Sequence, residues 1–219
     1  MRAKSQSAIS RARRERERDA LKTRIKDIAR KMFVREGYEA VTFQKIATSL
    51  EYTHPALYRY FQDKNDLLST IVLEDMEDLH AQLLECASIA DPLDRLIAMA
   101  HTNGVWAIEH PNHYLLFYSQ AWTAQEDEVR AARSVALDYE PLHVLYSAIE
   151  ELLEQGRVKG EYADAALLAK TLLAGMHGVI MLEITISGYD RALIHDRDRS
   201  FPEHLDAMIG GLMHGLLKV

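Results

Sequence analysis

Side chains that can hydrogen-bond to nucleic acid are concentrated in one short segment of this chain. Helical spacing exposes Thr53, His54, Tyr58 and Arg59 there. Donors of this kind, near the N-terminal end of a short helix, can reach base edges in the major groove of DNA. The segment therefore predicts a DNA-reading helix. The alternative is a group of helices that pack together only for stability.

Two short apolar patterns would position these donors. The residues that face inward at helical spacing are Phe43, Ile46, Ala47, Leu50, Leu57, Tyr60 and Phe61. Thr42 and Thr53 each precede one pattern, where a hydroxyl can accept a hydrogen bond from an amide of the first turn. Pro55 stands early enough in the second pattern to remove no internal hydrogen bond. The predicted unit is a helix, a tight turn and a helix.

Charge is divided unevenly along the 219 residues, whose net charge is −7. Residues 1–66 hold 16 Lys and Arg against 9 Asp and Glu, a balance of +7, so the remainder carries −14. A positive field that releases counterions from DNA is thus confined to the N-terminal part. Cys86 is the only cysteine and can form no internal disulfide. With no long uncharged apolar run, a cytoplasmic protein without membrane contact is expected.

The stretch with Ile46-Ala47, seven further residues and PALYRYFQDKNDLL resembles the N-terminal domain of the TetR family of bacterial transcriptional repressors. The resemblance extends from about Leu21 to Ile71. One departure is Glu51, which stands in the turn where the family usually has Gly and would be strained at positive φ. The resemblance implies phosphate contacts by Thr42, Lys45, Tyr58, Tyr60 and Lys64, and positions nearest to base edges for Gln44, Thr53, His54 and Pro55. Arg59 completes the predicted DNA-binding set.

Residues 1–19 are basic and almost lack large apolar side chains. They are expected to be a disordered arm or a solvated helical extension. The arginines would reach an adjacent minor groove in one interpretation, and would only form ion pairs along a solvated helix in the other. The domains predicted after this arm are a helix-turn-helix domain at 20–66 and an effector-binding, dimerising domain at 67–219.

The C-terminal domain shows only helical periodicity, so the predicted fold is all-α. Residues 163–186 are apolar nearly all round, and Ser200 with Glu203 forms a capping box for a last helix. Two such helices are expected to pair with the same two of a second subunit in a four-helix bundle. The residues predicted at this homodimer interface are Leu172, Val179, Leu205, Ile209, Leu212 and Leu216.

Aromatic rings and imidazoles are frequent in the same domain and predict a chamber for a small organic effector. The predicted lining is His101, Trp106, His110, Phe117, Trp122, Tyr139, His143, Tyr146 and His177. Rings that serve only as core are the alternative for each residue. Met176-His177-Gly178 resembles, more loosely, a W-H-G motif of some TetR-like regulators. No metal-ligand spacing or catalytic motif is present, so no metal, cofactor or enzymatic activity is expected.

These features predict a homodimeric repressor that binds a palindromic operator in double-stranded DNA and releases it when an apolar or aromatic effector binds. A helix from Lys64 to about Cys86 would link the two domains as a lever. The alternatives are a ligand-independent architectural DNA-binding protein of the same fold and, less favoured, a helical-bundle enzyme that uses its histidines.

Overall fold

The computed structural model describes residues 2–118, 140–186 and 200–218. Within these ranges the chain is helical and contains no β-strand beyond a single bridge between Val158 and Leu217. The α-helices are α1 (Arg2–Glu36), α2 (Phe43–Ser49), α3 (His54–Leu57), α4 (Lys64–Glu85), α5 (Pro92–Glu109), α6 (Pro111–Phe117), α7 (Glu140–Glu154), α8 (Ala165–Thr185) and α9 (Phe201–Leu216). The predicted all-α fold is confirmed.

The chain divides into two compact units. The first consists of Met1–Asp75 and Asn112–Ser134, and the second of Met76–Pro111 and Val135–Val219. The division falls inside α4 rather than before it. We refer to these as the N-terminal and C-terminal units.

Helix α1 organises the N-terminal unit. Its buried stripe is Ile25, Ala29, Met32 and Phe33, and α2 packs against it. The helix ends at Gly37, whose φ of 80° lies in the left-handed region and whose amide donates to the carbonyl of Phe33 at 3.1 Å. At its other end the helix continues to Arg2, so the N-terminal segment is a helical extension and not a disordered arm.

A charged network ties α1 to α4 and α6 inside the N-terminal unit. Arg30 donates to both carboxylate oxygens of Asp75, at 3.0 and 2.7 Å, and each residue is only 6% exposed. A further donor of Arg30 reaches the exposed Asp27 at 3.0 Å. His113 on α6 lies 3.1 Å from the same Asp75 carboxylate. A bidentate pair of this kind fixes both position and orientation, because its two bonds are parallel.

The C-terminal unit is a helical bundle in which α5 packs against α7, α8 and α9. Its aliphatic core includes Leu96, Met99, Ile149, Leu152 and Leu168. Local caps begin the helices: Asp91 accepts from two amides of α5, and Asp164 accepts from the Leu167 amide at 2.8 Å. The predicted capping box of Ser200 and Glu203 is present at the start of α9.

Helices α8 and α9 each keep one face outside this bundle. Leu167 and Leu182 on α8 are 48% and 57% exposed. Within the described residues, α8 is the one helix that is long and apolar enough, by length and composition alone, to cross a membrane. On α9 the stripe Leu205, Ile209 and Leu216 is buried inside the protomer.

Candidate nucleic-acid interface

The turn between α2 and α3 is a Schellman motif, a helix end closed by two backbone hydrogen bonds. The Tyr52 amide donates to the carbonyl of Ala47 at 2.9 Å, and the Glu51 amide donates to the carbonyl of Thr48 at 3.1 Å. Glu51 takes the left-handed position, with φ of 60°. It is the only non-glycine residue with positive φ in the described part of the chain. The expected strain at Glu51 is therefore present in the turn.

The two helix starts differ in how they are capped. The Thr42 hydroxyl accepts from the Lys45 amide at 3.3 Å, as predicted. Thr53 is the N-cap of α3, but its side chain makes no capping hydrogen bond, so that part of the prediction is wrong. Thr53 is exposed, and its hydroxyl can bind a partner outside the protein.

Three rings in tilted and edge-on contact hold the first turn of α3. The buried Phe43 ring lies 5.1 Å from Tyr58 and 6.5 Å from His54, and His54 meets Tyr58 edge-on at 5.2 Å. Tyr58 remains 53% exposed. Ring pairs at these separations restrict side-chain rotation and add about 0.5–1.5 kcal/mol each beyond area burial. The cluster thus presents His54 and Tyr58 at the surface beside the exposed Thr53 and Pro55.

The two predicted phosphate-binding lysines both have partners inside the protein. Lys64 donates to the carbonyl of Tyr38 at 2.8 Å, and its ammonium sits 3.8 Å from the centre of the Tyr38 ring. Lys45 donates to Glu36 at 3.1 Å and to the carbonyl of Ala40 at 2.8 Å. Both lysines therefore brace the loop after α1, and their contacts with phosphates stay a prediction.

Glu36 is the acidic partner in this loop. Hydrogen bonds from Arg35 and then Lys45 lower the pKa of its carboxyl. The carboxylate therefore stays charged to a lower pH than an unpaired glutamate and holds the Lys45 ammonium. Gln44 on α2 and Arg59, which follows α3, are in contrast exposed. Tyr60 is half-buried, as befits its predicted inward position.

Among the predicted effector residues, Trp106 and His110 come together near the end of α5. Trp106 is 3% exposed and its indole donates to Asp78 at 2.6 Å, while its ring lies 5.5 Å from that of His110. His101 pairs with Asp206 of α9 at 2.9 Å. These side chains have protein partners within the C-terminal unit, and their contacts with an effector stay a prediction.

The other predicted effector residues are dispersed. His143 and Tyr146 are exposed on α7, which corrects the inward direction assigned to them. Phe117 lies in the N-terminal unit beside Tyr118, with ring centres 4.9 Å apart. His177 on α8 is half-buried, and burial lowers its pKa. Trp122 and Tyr139 lie outside the described residues.

Sequence reasoning missed Asn103 on α5. Its side-chain oxygen is buried and has no hydrogen-bond partner in the structure. The position continues the inward stripe of Leu96 and Met99 toward Trp106. The sequence signal that could have singled out Asn103 is a polar residue within an apolar stripe.

No group of three or more His, Cys, Asp or Glu within the described ranges is arranged to hold a metal ion.

The predicted dimer residues are also divided by the structure. Leu205, Ile209 and Leu216, predicted at the dimer interface, are buried in the protomer's own core, because α9 packs that stripe onto α5 and α8. Leu212 also meets α8, where it lies 2.8 Å from the site of a Cβ added to Gly175. Leu172 and Val179 are half-buried on α8.

Comparison with known proteins gives two family matches. Residues 25–71 match the model of bacterial regulatory proteins of the tetR family. Residues 96–208, more than half of the chain, match the model of the tetracyclin repressor-like C-terminal domain. The uncharacterized HTH-type transcriptional regulator Rv0681 of Mycobacterium tuberculosis is 24% identical over 151 residues, 69% of this chain. The match spans 64% of that relative's own length.

Solved structures share the fold. The ketosteroid transcriptional regulator KstR2 of Mycobacterium tuberculosis superposes with a TM-score of 0.73 and 16% identity, over 90% of this chain and 95% of its own. AibR, solved with isovaleryl coenzyme A and operator DNA, superposes with a TM-score of 0.71 and 21% identity, over 87% of this chain and 96% of its own. The two family matches agree with the geometry of α2, the turn and α3. The chain therefore belongs to the TetR family of bacterial regulatory proteins.

Proposed function

We propose that this chain is a cytoplasmic, sequence-specific DNA-binding regulator that acts as a homodimeric, ligand-responsive repressor. The single observation that carries the proposal is the reader: a closed turn followed by a short helix whose first turn presents His54 and Tyr58, clamped by the Phe43 ring. A helix that enters a major groove needs this rigid, donor-bearing N-terminal turn. No catalytic role is part of the proposal.

Selection of bound duplexes from a random pool tests the reader directly. The expected product is a palindrome, because two readers related by a two-fold axis meet two half-sites about one turn of DNA, roughly 34 Å, apart. His54→Ala should change which bases are selected, since the family resemblance predicts that His54 lies nearest to base edges. Arg59→Gln should weaken all duplexes alike and reduce the salt slope by about 0.9 for each phosphate that is no longer neutralised.

Lys64→Gln provides the contrast to Arg59→Gln. Because the Lys64 ammonium is held by Tyr38, its removal should lower protein stability and leave the salt slope of DNA binding nearly unchanged. If the selection returns no consensus, or the His54 variant returns the wild-type consensus, the reader must be assigned elsewhere.

The dimer proposal rests on the outward faces of α8 and α9. Leu167 and Leu182 form an exposed apolar face on α8, and added Cβ atoms at Gly210 and Gly211 of α9 would meet nothing within 4 Å. Small residues permit close approach of a partner helix. Leu182→Glu should bury unpaired carboxylates at a two-fold contact and dissociate the dimer in light scattering. Val105→Glu, which charges another exposed apolar residue, on α5, is the control and should leave the dimer intact.

The effector proposal rests on Asn103 beside Trp106. A buried oxygen without a partner costs about 1–3 kcal/mol, which a bound ligand with a donor group would recover. AibR was solved with isovaleryl coenzyme A, and a structural relative from Saccharomonospora viridis was solved with choline. We therefore propose a small effector that is largely apolar and carries a hydrogen-bond donor, and α4 as the element through which its binding alters DNA affinity.

Titration of the selected duplex with acyl-coenzyme A esters of increasing chain length and with choline tests this coupling. By linkage, a ligand that weakens DNA binding tenfold must bind tenfold more weakly to the DNA complex, a coupling of about 1.4 kcal/mol. Asn103→Leu should abolish the response and leave ligand-free DNA affinity unchanged. A tight-binding ligand that leaves DNA affinity unaltered would favour the ligand-independent architectural protein.

A further inference from the structure

The N-terminal part of α1 overhangs the rest of the N-terminal unit. Every residue from Ser10 to Ala20 is exposed, whereas Ile25, Ala29 and Met32 are buried against the other helices. The helix is continuous across the change, so the overhang is an extension of a packed helix. Its length from Arg11 to Lys22 is about 17 Å at the rise of an α-helix.

One stripe of α1 changes from apolar to basic at this point. Residues at helical i, i+3, i+4 spacing share a face, and the buried stripe is continued toward the N-terminus by cations. The members of the continued stripe are Arg11, Arg14, Arg18 and Lys22. Glu15, four residues after Arg11 and three before Arg18, lies at the edge of this face and pairs with Arg11. We call these four residues the basic stripe.

The basic stripe faces the side of α1 on which the reader packs. Lys22 marks the transition, since its ammonium lies 5.6 Å from the centre of the Phe61 ring, which follows α3. Beyond Lys22, the described part of the chain leaves the same face of the helix uncovered. Arg14 and Arg18 have no carboxylate partner among the described residues, while Arg11 pairs only with the exposed Glu15 at 3.3 Å.

We propose that the basic stripe is a second DNA-binding surface, which lies along the phosphate backbone next to the site occupied by the reader. A run of cations matches a phosphate backbone, and it is continuous with the proposed reader. The stripe has no large apolar side chain, which a helix lying in a membrane surface requires. As a rigid helix it contacts the backbone and does not track the floor of the minor groove as a flexible arm would. The inference rests on the proposed DNA-binding function and adds contacts that carry affinity without sequence preference.

The opposite face of α1 supplies a matched control. Arg13, Arg16 and Arg24 are exposed and share a face pointing away from the stripe. Substitution of Arg11, Arg14 and Arg18 by Gln removes three charges and one i,i+4 ion pair. Substitution of Arg13, Arg16 and Arg24 by Gln removes three charges and also one i,i+4 pair, that of Arg13 with Glu17. The two triple variants are therefore matched in charge and pairing, and differ in the face that is changed.

The experiment measures anisotropy of a fluorescein-labelled, random-sequence duplex of about three helical turns, with full-length protein, from about 50 to 200 mM salt. The stripe variant should lower the slope of log affinity against log salt by about 2.7 per bound protomer, at about 0.9 per phosphate contact. The control variant should lower it by less than about 1. Circular dichroism should show both variants as helical as the wild type.

Each other outcome overturns the inference. If both variants reduced the salt slope equally, the overhang would act only as a diffuse charge. If neither reduced it, the stripe would be a solvated face that does not contact DNA. Loss of binding to phosphatidylserine vesicles by the stripe variant, with an unchanged DNA slope, would reassign the surface to membranes. Failure of the wild type to bind any duplex would instead refute the proposed function itself.

Discussion

Replacement of Asp75 tests whether the buried ion pair holds the N-terminal unit together. In Asp75→Ala the guanidinium of Arg30, itself 6% exposed, loses both bonds of its bidentate pairing and also its buried counter-charge, and keeps only the exposed Asp27. Removing one member of a buried pair costs about 3–5 kcal/mol, because the remaining charge stays desolvated. His113 loses the same carboxylate, at 3.1 Å. We expect a decrease of about 3–5 kcal/mol in the free energy of unfolding.

Asp27 provides a control on the same guanidinium. It accepts from Arg30 at 3.0 Å, but its side chain is 53% exposed, so water replaces it when it is removed. Asp27→Ala should cost less than about 1 kcal/mol. Urea unfolding followed by circular dichroism at one fixed protomer concentration gives both values, since dimer stability depends on concentration.

Restoration by a second substitution separates charge from packing. The double variant Arg30→Met with Asp75→Leu removes both charges and should recover most of the stability that Asp75→Ala removes. Equal costs for the Asp75 and Asp27 variants would refute the reasoning, because they would show that burial of the pair contributes nothing. A double variant as unstable as Asp75→Ala would show that the destabilisation came from shape.

Two further outcomes follow from the turn and from a buried hydroxyl. Glu51→Gly should raise the free energy of unfolding in urea by about 0.5–1 kcal/mol, because relief of about 1–2 kcal/mol of left-handed strain outweighs the added entropy of the unfolded state. Gly37→Ala, at φ of 80°, should lower the free energy of unfolding. A destabilised Glu51→Gly variant would contradict the strain at this position. Burial of Tyr114, 1% exposed, raises its pKa, so stability should be complete below about pH 10 and fall by about 1.4 kcal/mol per unit above it, as the unfolded state ionises. Tyr114→Phe should flatten this alkaline slope and Tyr52→Phe, at an exposed tyrosine, should not; identical slopes for both variants would remove Tyr114 from the titration.

Local signals made the reader predictable from the sequence. The cap at Thr42 and the inward stripe ending at Leu50 are each specified within a few residues, and the structure reproduces both. The strain at Glu51 was also foreseeable, because a helix end that needs a left-handed residue shows which position must take it.

Nonlocal contacts were not predictable from periodicity. A pattern shows that Leu205 and Ile209 share a face, but not whether their partner is the protomer or a second copy. Similarly, the sequence does not show that Lys64, predicted to meet a phosphate, also donates to the carbonyl of Tyr38. The orphan oxygen of Asn103 is visible only when its neighbours are in place.

The network of Arg30, Asp75 and His113 constrains how regulators of this kind can recombine. Its three residues are far apart in sequence, on α1, α4 and α6, yet they share one carboxylate. A crossover at residue 66 would take the reader helices from one parent and Asp75 with His113 from the other. A hybrid between parents that differ at these positions would inherit a buried guanidinium without its acid. Successful exchange of DNA specificity must therefore move α4 as far as Asp75, together with the segment that holds His113, or else leave Arg30 in place.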